Sequence, residues 1–259
     1  MREFLKKIPF PVSGLMLGCI SLSNLLNGNS FFATAATFFF LLLTAKLVFC
    51  WQDCREQLKH PVTASVCGTY SMSLMLLSVY YQAYLGQIAE VIWFMAIALH
   101  LLIAFYFSRV ILPQVRPSQF HATFFIVYVG IAVAALTSPA YQAEALGQIF
   151  WIIALVSFVV LAVFMAYRYL LHGKQNPVHL KPLVGVFAAP ASLCLTSYLQ
   201  SFDSLNPAII FSLLIMSILI YSLIIVQIPC LIKKTFYPSY AALTFPLIIS
   251  AAASSKVVD

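Results

Sequence analysis

The sequence predicts an all-α, polytopic membrane protein built from helical hairpins, and three observations support this fold class. Hydrophobic residues make up 63% of the chain and charged residues only 8%, whereas a soluble domain carries about a quarter charged residues. Mean hydropathy is correspondingly high, at +0.98. Five prolines beside basic stretches each open an apolar segment rich in small residues: Pro11, Pro61, Pro117, Pro182 and Pro238. Their spacing allows one two-helix hairpin each, so we predict a single transmembrane domain over residues 1–259.

Nine segments have the length needed to cross about 30 Å of hydrocarbon, which takes about 20 mostly apolar residues. We number them spans 1 to 9, at residues 8–26, 31–51, 62–82, 87–108, 119–138, 147–170, 182–200, 207–232 and 238–255. Lys6 and Lys7 precede span 1 as in a signal peptide, but no clear cleavage site separates it from span 2. We therefore predict that span 1 is a retained helix.

Basic residues predict the orientation of the spans, because Lys and Arg in short loops stay on the cytoplasmic side. Thirteen of the fourteen lie before span 1 or around the junctions after even-numbered spans. They are Arg2, Lys6, Lys7, Lys46, Arg55, Lys59, Arg109, Arg116, Arg168, Lys174, Lys181, Lys233 and Lys234. Only Lys256 falls on the other side. We predict a cytoplasmic N-terminus in a plasma or inner membrane, and the net charge of +7 then requires no nucleic-acid partner.

The odd-numbered and even-numbered spans differ in composition. Small residues are more than twice as frequent in the odd spans, as in PVTASVCGTYSMS, as in the even ones, as in IIFSLLIMSILIYSLII. Small residues let helices approach closely, whereas bulky apolar surfaces suit lipid. We predict an inner ring of odd spans enclosing an axis, and therefore a pore, with the even spans outside. Tight packing in a bundle core is the alternative for any single span.

Few ionisable groups lie at membrane depth, where such residues usually serve function. The odd spans contain no acidic residue, and His121 lies near the entrance of span 5. His100 is deep in span 4, where a hydrogen-bonded packing role is favoured over a proton relay. No motif of a hydrolase, metalloprotease or nucleotide-binding enzyme occurs, so neither an enzyme nor a bound metal or cofactor is predicted. The cysteines form no CxxC pair; Cys50 and Cys54 are interpreted as packing residues.

The order of local motifs resembles the tellurite-resistance/dicarboxylate transporter family, which includes bacterial TehA and the plant guard-cell slow anion channels. The matching stretches are PVSGLMLG, HPVTAS, PSQFHATFFIVYVG, APASLCLTSYL and ALTFPLIISAAASS, one in each odd span. The resemblance covers essentially the whole chain. It implies a pseudo-fivefold bundle of ten helices, inner odd and outer even, assembled as a homotrimer whose protomers each carry a pore.

The resemblance also implies a pore gate at Phe245, directly before Pro246 in span 9; lipid contact or packing between helices is the alternative. From proline chemistry, Pro190 and Pro246 are expected to bend their helices. Four glycines are expected to leave pore width where they face the axis: Gly14, Gly18, Gly68 and Gly130.

The given sequence departs from the resemblance because it stops soon after span 9, where a tenth, outer helix is expected. Either the sequence is a fragment or its last hairpin is incomplete, and in both cases span 9 is expected to lack its outer cover here. The function predicted is an anion channel or transporter in the membrane for small inorganic or organic anions. A weaker physical argument agrees, since an uncharged pore with a basic rim attracts anions. Alternatives are a secondary carrier for dicarboxylates or toxic oxyanions such as tellurite or sulfite, and a non-transporting scaffold.

Overall fold

The computed structural model describes residues 2–116, 119–172, 177–231 and 236–258, and within these ranges the chain forms helices and no strand. The α-helices are α1 (Arg2–Lys6), α2 (Val12–Leu25), α3 (Ser30–Phe49), α4 (Trp51–Gln57), α5 (Pro61–Val66), α6 (Gly68–Tyr80), α7 (Gln82–Leu85), α8 (Gln87–Tyr106), α9 (Phe124–Tyr128), α10 (Ala132–Thr137), α11 (Glu144–His172), α12 (Ala189–Ser201), α13 (Pro207–Leu231) and α14 (Phe245–Val258). A π-helical turn covers Phe107–Ile111, and 3-10 helices cover Leu112–Gln114, Ser138–Tyr141, Val178–Ala188 and Pro238–Leu243. The end of span 8 and four residues of the sequence argument, Pro117, Lys174, Lys233 and Lys234, lie outside the described residues.

Seven helical stretches of the described chain are long and apolar enough to cross a membrane. They are Ser30–Phe49, Pro61–Tyr80, Gln87–Gln114, Glu144–Arg168, Val178–Ser201, Pro207–Leu231 and Pro238–Val257. The helix of span 1, α2, is apolar but shorter. These elements confirm the predicted all-α, polytopic fold class.

Span 5 is not the continuous helix that the sequence predicts. It consists of α9 and α10, which residues 129–131 separate. The amide of Gly130 donates to the carbonyl of Phe125 at 3.2 Å, five residues back, instead of the α-helical four. A Cβ at Gly130 would lie only 2.2 Å from the carbonyl oxygen of Ile126. The break therefore depends on the missing side chain of this glycine.

The spans differ in burial as their composition predicts. In the most apolar 18 residues of the odd-numbered stretches Pro61–Tyr80 and Val178–Ser201, 72% and 83% of the residues are buried. The even-numbered stretches Ser30–Phe49 and Pro207–Leu231 reach only 22% and 17%. Pro238–Val257, in span 9, is an odd-numbered stretch with only 28% buried.

The helices of the five odd spans contact one another in a closed order. Helix α2 packs against α6, α6 against α10, α10 against α12, α12 against α14, and α14 against α2. We call these five odd spans the inner segments. The helices α3, α8, α11 and α13 follow α2, α6, α10 and α12 along the chain and pack against them, so each pair is a hairpin of one inner and one outer helix.

Candidate functional site

A cavity of about 390 Å³ opens on the side of the molecule that carries the basic loops. We call it the basic-side cavity. All five inner segments line it, and one lining residue from each is Gly14, Thr69, Gly130, Pro190 and Phe245. None of its described lining residues is an Asp or a Glu. The basic-side cavity is therefore in contact with every inner segment and carries no acidic side chain among its described lining residues.

A second cavity, of about 360 Å³, lies at the other end of the inner segments. We call it the opposite cavity. The same five segments line it, through Ser21, Leu76, Leu136, Thr196 and Ile249 among others. This cavity is the more polar of the two, and its lining includes Lys256.

A thin layer of side chains separates the two cavities. On α14, Phe245 lines the basic-side cavity and Ile249, four residues later, lines the opposite one. On α2, α6 and α12, too, a residue of the basic-side cavity is followed about one turn later by a residue of the opposite cavity. These pairs are Leu17 and Ser21, Met72 and Leu76, and Leu193 and Thr196. One helical turn rises about 5.4 Å. Leu17, Met72, Leu193 and Phe245 line the basic-side cavity about one turn from residues of the opposite cavity, and we call these four residues the closing layer.

Phe245 is the first residue of α14 and is 6% exposed. The preceding residue, Thr244, follows a 3-10 helix and donates from its hydroxyl to the carbonyl of Gly14 at 3.1 Å. This bond ties the start of α14 to α2 directly beside the closing layer.

Pro190 and Pro246 occupy equivalent places in their segments. Each is the second residue of an α-helix, α12 or α14, and each of these helices follows a 3-10 helix. Proline is tolerated in a first turn because its missing N–H would have no intrahelical partner there. Both prolines line the basic-side cavity, so the change from 3-10 to α-helix occurs at the cavity wall.

Two of the four predicted glycines line a cavity, and three of them, Gly18, Gly68 and Gly130, leave little room for a side chain. Gly14 and Gly130 line the basic-side cavity. A Cβ at Gly18 would lie 2.8 Å from Cβ of Thr244, and one at Gly68 would lie 3.1 Å from Cγ2 of Ile126. Gly18 and Gly68 therefore serve close contact between segments.

Hydroxyl groups form a hydrogen bond across every contact between consecutive inner segments. Thr69 donates to Ser13 Oγ at 2.6 Å, and Ser65 donates to Thr123 Oγ1 at 2.7 Å. The remaining three contacts carry bonds from Ser201 to the Ala135 carbonyl at 2.6 Å, between Ser192 and Ser250 at 2.9 Å, and from Thr244 to Gly14 as above. Buried hydroxyls thus join the inner segments to one another, a role that the count of small residues alone did not reveal.

His100 is buried and lines neither cavity. Its Nδ1 lies 2.8 Å from Ser71 Oγ, and its Nε2 lies 3.2 Å from the carbonyl oxygen of Val127. Both ring nitrogens therefore have partners in neighbouring segments, which is the arrangement of a packing histidine.

Two basic residues that the sequence argument counted with the loops are buried within the fold. Lys46 is 0% exposed and Arg168 is 2% exposed. Lys46 donates to the carbonyl of Ile8, and its Nζ lies 5.0 Å from the centre of the Phe10 ring. Lys46 thus fastens the N-terminal segment to α3, beside a residue that lines the basic-side cavity. Its only sequence signal is its place near the end of an apolar span.

These elements define a polytopic helical membrane protein with cavities at both ends of its inner segments. The family model of the SLAC1 voltage-dependent anion channels matches residues 7–259, and the chain belongs to this family. The match confirms the family expected from the sequence motifs. No curated protein matches the chain significantly. As a family member, the chain is a multi-pass membrane protein of the anion channel and transporter class.

Proposed function

We propose that this protein conducts small anions along the axis of a pseudo-fivefold ring of inner segments, through a pore that Phe245 closes. One observation carries the proposal: the five inner segments line a cavity at each end, and a closing layer about one turn thick divides the cavities. The closed order of helix contacts supports the ring. Displacement of one aromatic side chain from so thin a layer would join the two cavities.

The chemistry of the walls favours anions over cations. The described lining of both cavities has no carboxylate, so it offers a cation no negatively charged partner. The basic loops at the cytoplasmic side add a positive potential that concentrates anions. Chloride, nitrate, sulfite, tellurite and a dicarboxylate such as malate are the candidate substrates. A cytoplasmic N-terminus, a plasma or inner membrane and a homotrimer complete the proposal.

A secondary carrier is the competing function, and the same geometry favours it in one respect. Two cavities on either side of a closed layer also suit alternating exposure of a bound substrate. A channel passes current that follows the ion gradient, whereas a carrier shows saturable, coupled counterflow.

Anion flux from liposomes tests the proposal, with the wild type compared with Phe245→Ala. The variant removes the ring from the closing layer, so we expect flux of chloride and nitrate to rise at least about tenfold, because a barrier lowered by about 1.4 kcal/mol gives this factor. The matched control is Phe211→Ala on α13, whose side chain is 60% exposed and should leave flux unchanged.

Thermal unfolding in detergent would confirm that both variants are folded. Equal flux from wild type and Phe245→Ala would contradict a gate at this residue. Counterflow that requires substrate on both sides would favour the carrier.

A further inference from the structure

The opposite cavity contains the one basic residue that is predicted to lie apart from the other thirteen. Lys256, on α14, lines this cavity together with Gln200 of α12. The ammonium group of Lys256 donates to Oε1 of Gln200. Because this bond occupies the amide oxygen, the Nε2 group of Gln200 is left to donate. The pair therefore offers the cavity a positive charge and an amide donor.

Ser21, on α2, adds a buried donor to the same wall. Its residue is 8% exposed and its hydroxyl has no hydrogen-bond partner in the structure. Most buried hydroxyls of the inner segments donate to a carbonyl of their own helix, as Ser71, Ser73 and Ser197 do. A buried polar group without a partner costs free energy, so a ligand that accepts from Ser21 would recover it.

The remaining polar groups make the cavity donor-rich. Asn24 and Asn27 line it and have amide N–H groups, while the hydroxyls of Thr137 and Thr196 already donate to helix carbonyls. No Asp or Glu occurs among the described residues of its wall. Donors and one cation without a carboxylate are the chemistry that binds an anion.

We propose that the opposite cavity is an anion-binding site, in which Lys256, Gln200 and Ser21 hold a small inorganic anion at the second mouth of the pathway. The assignment rests on the proposed function, since it places a binding step at one end of the conduction path. The cavity volume of about 360 Å³ leaves the anion partly hydrated. The site raises the local anion concentration on the side that has no other Lys or Arg.

The test measures chloride flux in liposomes as a function of chloride concentration, in the Phe245→Ala background so that the gate does not limit the rate. Lys256→Gln should raise the half-saturating chloride concentration about fivefold at about 0.01 M salt, and Lys256→Glu should raise it further. The maximal flux should stay unchanged, and Lys256→Arg should behave as the parent. At about 1 M salt, where the Debye length is roughly 3 Å, the difference should shrink to within about twofold.

Two further variants separate local binding from general charge. Ser21→Ala removes one donor without changing charge and should raise the half-saturating concentration about twofold. Lys7→Gln removes an exposed charge that lines neither cavity and should have no effect. Half-saturating concentrations that are equal in parent and Lys256→Gln, with flux present, would overturn this site alone. Absence of flux from every folded protein would overturn the proposed function and this site with it.

Discussion

The inner segments are more buried than the outer helices but less hydrophobic. In soluble proteins the buried helices are the more hydrophobic ones. The most buried stretches, Pro61–Tyr80 and Val178–Ser201, have mean hydropathies of only 1.4 and 1.5. The most exposed stretch, Pro207–Leu231, reaches 2.9. Lipid is as apolar as a leucine side chain, so burial in a membrane protein is driven by close packing and hydrogen bonds between helices. The less hydrophobic spans are therefore the ones inside.

The last inner segment separates composition from exposure. Pro238–Val257 has a mean hydropathy of 1.3, the lowest of the seven stretches. Only 28% of its most apolar 18 residues are buried. Its small residues and hydroxyls contact α2 and α12 and line both cavities. A low hydropathy is therefore not enough to make a segment of this chain buried.

The largest effect on stability should come from the break between α9 and α10. Gly130→Ala places a Cβ 2.2 Å from the carbonyl oxygen of Ile126 and 2.8 Å from Sδ of Met72. The backbone has to move, and we expect a loss of about 3 kcal/mol or more in the free energy of unfolding. Thermal unfolding in detergent measures it as a marked drop in melting temperature.

The outer counterpart of this prediction is Leu219→Ala on α13. Its side chain is 59% exposed and faces no inner segment closely, so its loss should change stability by less than about 0.5 kcal/mol. A Gly130→Ala protein that unfolds at the same temperature as Leu219→Ala would show that the break in span 5 tolerates a side chain.

An intermediate effect should come from hydroxyls that join segments. The Ser192 hydroxyl donates to Ala188 and contacts the hydroxyls of Ser217 at 2.6 Å and Ser250 at 2.9 Å. Ser192→Ala should therefore cost about 1 kcal/mol of stability. Ser212→Ala is the matched outer change, because the exposed Ser212 donates only to Ile209 within its own helix, and it should cost almost nothing. Equal losses from the two variants would break the contrast between inner and outer hydroxyls.

Much of this fold can be predicted from the sequence because the relevant forces are local and periodic. Hydropathy over about 20 residues marks the outer helices, such as α8 and α13, nearly to their ends. The alternation of small and bulky spans predicts the burial of spans 3 and 7 but not the exposure of span 9. The break in span 5 escapes this reasoning, since its residues are as apolar as those of a continuous helix. Only the contact of Gly130 with the Ile126 carbonyl shows it.

Residues of the candidate site can be predicted from the sequence when their residue type or neighbours are distinctive. They cannot be predicted when only their packing in the fold distinguishes them. Phe245 stands out through family resemblance and the adjacent Pro246, and in the structure it lines the basic-side cavity. Leu17 and Met72 share that layer but cannot be distinguished by sequence from other apolar residues. The burial of Lys46 cannot be predicted from the sequence either, because a lysine near the end of a helix usually extends its ammonium group into water.

The smallest effect on stability, and the sharpest test of the axis, should come from Gly14→Ala. A Cβ at this position would lie 3.6 Å from Cβ of Ala241, an ordinary contact, and alanine favours a helix over glycine by about 1 kcal/mol. The melting temperature should stay the same or rise slightly. The methyl group is, however, added between Gly14 and Ala241, which both line the basic-side cavity. We expect flux in the Phe245→Ala background to fall about twofold for chloride and more for malate, whose larger volume meets the narrowed wall, since one methylene in a pocket discriminates by about 1 kcal/mol or more.

Leu219→Ala provides the outer control with unchanged flux. Equal flux of both anions in the Gly14→Ala protein would mean that this glycine serves packing and that the path runs elsewhere.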